Sequence, residues 1–133
     1  MNILSGNILE VKYNGHICLV SIKVGDDLLT SLVIEDPTNT TGQLIEGNKV
    51  NLHFKETEII LAKTRDLPIS LSNSLHCTID KIERDEILSK IQLDYSGRKL
   101  QAIVTSAEVL KLELNEKDTI FVFVKNNEIM LSY

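Results

Sequence analysis

The feature that most limits what this chain can become is that it repeats itself. With Leu4 set opposite Leu75, a shift of 71, Ile8 meets Ile79, Val11 meets Ile82, Val20 meets Ile91, Ile22 meets Leu93, Leu29 meets Leu100 and Val33 meets Val104. A one-residue gap after Asp36 changes the shift to 70, and Leu44 then meets Leu114, Glu46 meets Glu116 and Val50 meets Ile120. The ends agree best. Residues 54–61 and 124–131 share K-x-x-E-I-x-L in identical places, in phase with everything before them. Two units are expected, 1–63 and 69–133, joined by a polar linker at 64–68 that closes on Pro68.

Each unit reads as strands. Val20, Ile22 and Val24 alternate with Ser21 and Lys23; Ile91, Leu93 and Tyr95 alternate with Gln92 and Asp94; Val50, Leu52 and Phe54 alternate with Asn51, His53 and Lys55. That period of two buries one face of a sheet. Turn residues punctuate the runs at Asn14-Gly15, Gly25-Asp26-Asp27, Glu46-Gly47-Asn48 and Ser96-Gly97-Arg98. The helical signal falls on 106–112, where Ser106 suits a cap and Val109 and Leu110 suit an inward face. The expected fold class is all-β, two tandem OB-like five-stranded barrels with one short helical segment each. Phe121 and Phe123 make their strand apolar on both sides. They are expected to pack on the sister unit or on another subunit, since an exposed pair would be a sticky patch.

Composition excludes several functions. The chain has 133 residues, 14 basic and 19 acidic, with a net charge of −5 and only 5% aromatic residues. A single-strand nucleic-acid binder needs stacking platforms and a basic groove, so no nucleic-acid partner is expected. Apolar runs fall far short of the roughly 20 residues that span a bilayer. The N-terminal segment has neither the basic nor the apolar region of a leader, so no membrane partner and a cytoplasmic location are expected. Cys18 and Cys77 stand apart and read as small buried side chains in a reducing compartment. His16, His53 and His76 have no ligand spacing, and no direct metal ligands are expected. No nucleophile–base set is apparent, so the chain is expected not to be an enzyme.

The second unit opens with Ile69-Ser70-Leu71-Ser72-Asn73, continues to Leu100-Gln101-Ala102-Ile103-Val104-Thr105, and closes with Val124-Lys125 and Ile129. This order of I-S-x-x-N, L-x-A-x-V-T and V-K-x-x-x-I resembles the molbindins, small cytoplasmic molybdate-binding proteins made of transport-associated OB (Mop-type) domains. Two tandem units resemble the di-domain form. The resemblance implies strands shared between the halves, a homotrimer of di-domains, and molybdate or tungstate bound at interfaces between units, with no organic cofactor. It implies a role in molybdenum storage or homeostasis. By match it gives Ser70, the backbone of Leu71 and Ser72, Asn73, Thr105 and Lys125 to the oxyanion, with Lys55, Thr30 and Ser31 in the first unit. The chain departs from the family in four places: Ser72 stands for an arginine, Glu108 for a hydroxyl, Ile34 with Glu35 and Asp36 follow in place of the first-unit threonine, and the first unit lacks I-S-x-x-N. The alternative is a degenerate oligomerisation or regulatory OB-like module with no oxyanion site.

The chemistry suits such a ligand. A tetrahedral oxyanion only accepts hydrogen bonds, so its site needs N–H, O–H and an ammonium rather than a broad basic patch. A hydrogen bond involving a charged group contributes roughly 1.5 to 3 kcal/mol, and micromolar affinity needs about 8 kcal/mol. Four or five donors reach that scale.

Overall fold

The computed structural model describes residues 1–34 and 44–133. The expected first-unit helical segment, and Glu35 and Asp36, lie outside these residues. Among the described residues ten strands form: β1 (Asn2–Asn14), β2 (Ile17–Val24), β3 (Asp27–Ile34), β4 (Lys49–Phe54), β5 (Ile60–Ala62), β6 (Ser74–Arg84), β7 (Leu88–Tyr95), β8 (Arg98–Thr105), β9 (Thr119–Phe123) and β10 (Met130–Ser132). One short helix, α1 (Ser106–Lys111), follows β8. The fold is all-β, as expected, in two five-stranded sheets.

Sheet membership cuts across the expected units. The first sheet runs β10-β4-β1-β2-β3 and the second β5-β9-β6-β7-β8, so each half gives its last strand to the other. Leu131 pairs with Leu52 of β4, and Leu61 with Val122 of β9. The 3-10 turn before each donated strand crosses as well: Asn126–Glu128 packs on β3, and Glu56–Glu58 on β8. The exchange follows from chain geometry. A strand of three residues can complete a sheet but contributes little alone, so its residues bury only where a complementary seam awaits them.

The repeat is visible in the hydrogen bonds. Ile8 donates to the Asn48 carbonyl at 2.9 Å and accepts from Gly47 N at 2.7 Å; Ile79 donates to the Asp118 carbonyl at 2.8 Å and accepts from Lys117 N at 2.7 Å. The register of the first strand slips at the same place in both halves, between Ile8 and Glu10 and between Ile79 and Lys81. Such a slip marks an extra residue that bends the strand and strengthens its twist. The turn chemistry differs. Ser96 and Gly97 both have positive φ, the arrangement favoured in two-residue hairpins, whereas in the matching turn Gly25 does.

The inward residues are the alternating aliphatics. Leu4, Ile8, Val20, Ile22, Leu52 and Phe54 are buried in the first sheet, and Leu75, Ile79, Ile91, Leu93, Ile120 and Val122 in the second, within one continuous core. Cys18 and Cys77 are both buried in it and are not joined in a disulfide. Phe123 is also buried, and Phe121 is half-covered, stacked on His76 with ring centroids 4.8 Å apart. The Arg65 guanidinium lies 5.0 Å from the Phe121 ring, an attraction to its electron-rich face. This chain therefore covers both phenylalanines with its own residues, and their burial needs no second subunit.

At the joint between the halves the Tyr95 hydroxyl donates to Asp27 Oδ2 at 2.5 Å and lies 3.2 Å from the Val24 carbonyl. Burial, then the hydrogen bond to Asp27, pushes the phenol well above its ordinary range. Burial likewise pushes the Cys77 thiol up to about 12. A folded-state pKa above the unfolded one means that the native state holds the proton more tightly. This stability is complete below the unfolded values and is lost as pH rises through the folded ones. We expect alkaline unfolding to set in above about pH 9, where free thiols and then phenols begin to ionise. In Tyr95→Phe the tyrosine part of this alkaline loss disappears, while neutral-pH stability falls by about 1 kcal/mol. Urea midpoints measured from pH 7 to pH 11 check both.

Candidate functional site

The candidate site grows from one asparagine. Asn73, buried just before β6, turns its amide onto the backbone of β3. Its Nδ2 donates to the Thr30 carbonyl at 2.8 Å, and its Oδ1 accepts from Thr30 N at 2.8 Å. The side chain thus acts as one more rung of a ladder between halves, satisfying two backbone groups that a seam would leave unpaired. The Asn73 carbonyl accepts from Val124 N at 3.3 Å, which brings the β9 end and Lys125 alongside. Lys125 is exposed and precedes the 3-10 turn that packs on β3. Thr30, Asn73 and Lys125 are therefore brought together by one chain. Ser21 faces the same way as Thr30, since the two are cross-strand partners.

The other expected residues are placed as follows. Ser70 and Ser72 are exposed and Leu71 half-buried in the segment leading into Asn73. Ser31 is fully buried, and its hydroxyl donates to the Ile129 carbonyl at 2.7 Å, which closes the seam between β3 and β10. Thr105 stands at the far end of β8, where its hydroxyl accepts from Glu108 N at 3.2 Å and caps α1. Ser106 does not cap the helix. It donates to the Asp85 carbonyl at 2.6 Å and lies 2.7 Å from the Ser89 hydroxyl. Glu108 lines an apolar-rimmed cavity of about 350 Å³ between α1 and residues 59–61. Lys55 precedes the other 3-10 turn, beside β8.

One residue escaped the sequence reading. Asn2 is buried and repeats the Asn73 clamp: its Nδ2 donates to the Gln101 carbonyl and its Oδ1 accepts from Gln101 N, both at 2.8 Å. The signal was present. The shift of 71 that aligns Leu4 with Leu75 also aligns Asn2 with Asn73 and Thr30 with Gln101. The asparagine of I-S-x-x-N thus does occur in the first half.

Around Asn2 lies a cavity of about 320 Å³ whose polar lining comes from Asn2, Glu56, Gln92, Lys99 and Gln101. The Met1 amino group pairs with Glu56, and this hydrogen bond is the main cause holding the Glu56 carboxyl below its usual range; Lys90 adds a weaker pull. Lys99 reaches Asp94 at 2.8 Å and Asp80 at 3.0 Å. The Lys99 ammonium, followed by the Gly97 N–H, keeps Asp94 ionised. Among the described residues no group of three or more His, Cys, Asp or Glu is placed to hold a metal ion, and no helix is long and apolar enough to cross a membrane.

These features define a class: a two-sheet, OB-like protein with a polar cleft at Asn2, where one half clasps the other. Residues 69–131 match the family model of the TOBE domain. In fold the whole chain is similar to the cytoplasmic molybdate-binding protein ModG, solved with molybdate bound, at a TM-score of 0.89, 22% identity, and coverage of 98% of this chain and 94% of that one. A molybdate-binding protein from Sporomusa ovata is 34% identical over 44% of this chain and 88% of its own, with a TM-score of 0.43. No curated protein sequence matches the chain.

Proposed function

We propose that the chain binds molybdate or tungstate reversibly, as a tetrahedral dianion, for molybdenum storage or homeostasis in the cytoplasm. The observation that carries this reading is the convergence at the Asn73 clamp. There the Asn73 amide holds the Thr30 backbone, Ser21 is the cross-strand partner of Thr30, and the 70–72 segment and Lys125 adjoin Asn73 and its partner Val124, a supply of hydroxyls, amides and an ammonium. The ModG likeness in fold and the TOBE domain support the reading.

Thr105 enters the proposal as a residue of an interface. β3 and β8 lie on different sheets, and Thr105 is four residues along β8 from Gln101, the Thr30 equivalent, roughly 13 Å at strand spacing. A site using both Thr105 and Lys125 is proposed to be completed by a second copy. We infer a homotrimer of the two-unit chain, 1–63 and 69–133. Its support is the cross-strand pairs Ile17 with Ile34 and Leu19 with Leu32, which set aliphatic side chains on one outer face, Ile34 being 84% exposed. Ligand and assembly would then reinforce each other.

Isothermal titration of the full chain with sodium molybdate tests the proposal. We expect micromolar binding, and at least a tenfold weakening in Lys125→Ala, the effect of one lost charge-assisted hydrogen bond. Absence of heat with both molybdate and tungstate would leave the oligomerisation module as the reading.

A further inference from the structure

Resting on the proposed function, we propose that the surroundings of the two pseudo-equivalent asparagine clamps of this chain have diverged. Glu56 and the two aspartates on Lys99 bar a dianion from the cleft at Asn2, so only the surroundings of Asn73 take one up.

The two places are built alike. Asn2 clamps Gln101 as Asn73 clamps Thr30, with the same pair of hydrogen bonds. Lys55 and Lys125 each precede a 3-10 turn, and each turn packs on the clamped strand. The same shifts carry every lining position of the first cleft onto the second. Glu56 becomes Asn126, Gln92 becomes Ser21, Gln101 becomes Thr30 and Lys99 becomes Leu28. The register agrees, since Asp94 pairs with Lys99 as Lys23 pairs with Leu28.

The charges do not carry over. Around Asn2, Glu56 lines the cavity, and the Lys99 ammonium is already shared by Asp80 and Asp94. The Met1 amino group is likewise held by Glu56. At the matching positions around Asn73 stand Asn126 for Glu56, Leu9 for Asp80 and Lys23 for Asp94. One cleft thus offers an anion the Glu56 carboxylate, and the two cations of its lining, the Met1 amino group and Lys99, are already paired with carboxylates. The other exchanges them for an amide, an aliphatic and a second lysine. Like charges facing each other at short range are the strongest means of rejecting a ligand, and a carboxylate has no proton to give an oxyanion.

Equilibrium dialysis of the full chain against sodium molybdate, with the bound metal counted per chain, tests this. Ser21→Ala is expected to weaken uptake at least fivefold, while its counterpart Gln92→Ala leaves uptake unchanged. The triple variant Glu56→Gln, Asp80→Asn, Asp94→Asn is expected to gain one anion per chain. An unchanged count in a folded triple variant, or equal losses in Ser21→Ala and Gln92→Ala, overturns the divergence while molybdate binding stands. Failure of every form to take up molybdate overturns the functional reading and this one together.

Discussion

Replacing Asn73 by alanine will destabilise the protein by about 3 kcal/mol. The substitution strands both the N–H and the C=O of Thr30, which have the Asn73 amide as their partner across the seam. An unmade hydrogen bond at a buried backbone group costs roughly 1 to 3 kcal/mol. Water reaching the half-buried strand recovers part of that, which sets the figure in the middle of the summed range. For a chain of this size the melting temperature should fall by about 10 °C. Asn73→Asp is the informative companion. It keeps the acceptor for Thr30 N but sets a carboxylate against the Thr30 carbonyl, so it should be at least as harmful at neutral pH and milder in acid. Urea unfolding at pH 7 and pH 4 measures both. A change below about 1 kcal/mol in Asn73→Ala would mean that strand exchange holds the halves without the clamp.

Gly6→Ala will be nearly as damaging, for a reason of space. A methyl group there would lie 2.5 Å from the Lys23 carbonyl oxygen, 2.7 Å from Ile22 Cγ2 and 2.9 Å from Val24 Cγ2. The backbone carbonyl cannot swing away without breaking the pairing of β1 with β2. Overpacking of this kind typically costs 1 to 3 kcal/mol, and we place Gly6→Ala near the upper end, at about 3 kcal/mol. The measurement is again a urea midpoint, with Gly47→Ala as the contrast. At Gly47 no heavy atom lies within 4 Å of the added methyl group, and only its φ of +90° opposes the change, so about 1 kcal/mol is expected.

Gly6 also shows where reading the repeat reaches its limit. Its counterpart under the shift of 71 is Cys77, buried in the same kind of strand. By sequence alone a side chain at position 6 looks admissible. The coordinates exclude it, because how closely β2 approaches β1 depends on packing across the whole sheet, which is not equal in the two halves. The carboxylates around Asn2 illustrate the same limit. Nothing local marks Glu56 and Lys99 as lining one cavity, or Asp80 as a partner of Lys99; β6, the β7–β8 hairpin and the first half's 3-10 turn bring them there.

What the sequence determined by itself was everything carried by period and repetition. The alternation of Val, Ile and Leu defined the strands and their inward faces, the paired motifs set two copies, and Asn2 was already in phase with Asn73. Those properties reside in the order of neighbours along the chain, and burial of every second side chain suffices to express them. What the tertiary structure alone decided was which strand completes which sheet. Ile60–Ala62 fits the register of β9, and Met130–Ser132 that of β4. Three-residue strands carry no information about their partner, so the choice falls to the seam they close, and with it the pairing of Thr30, Asn73 and Lys125.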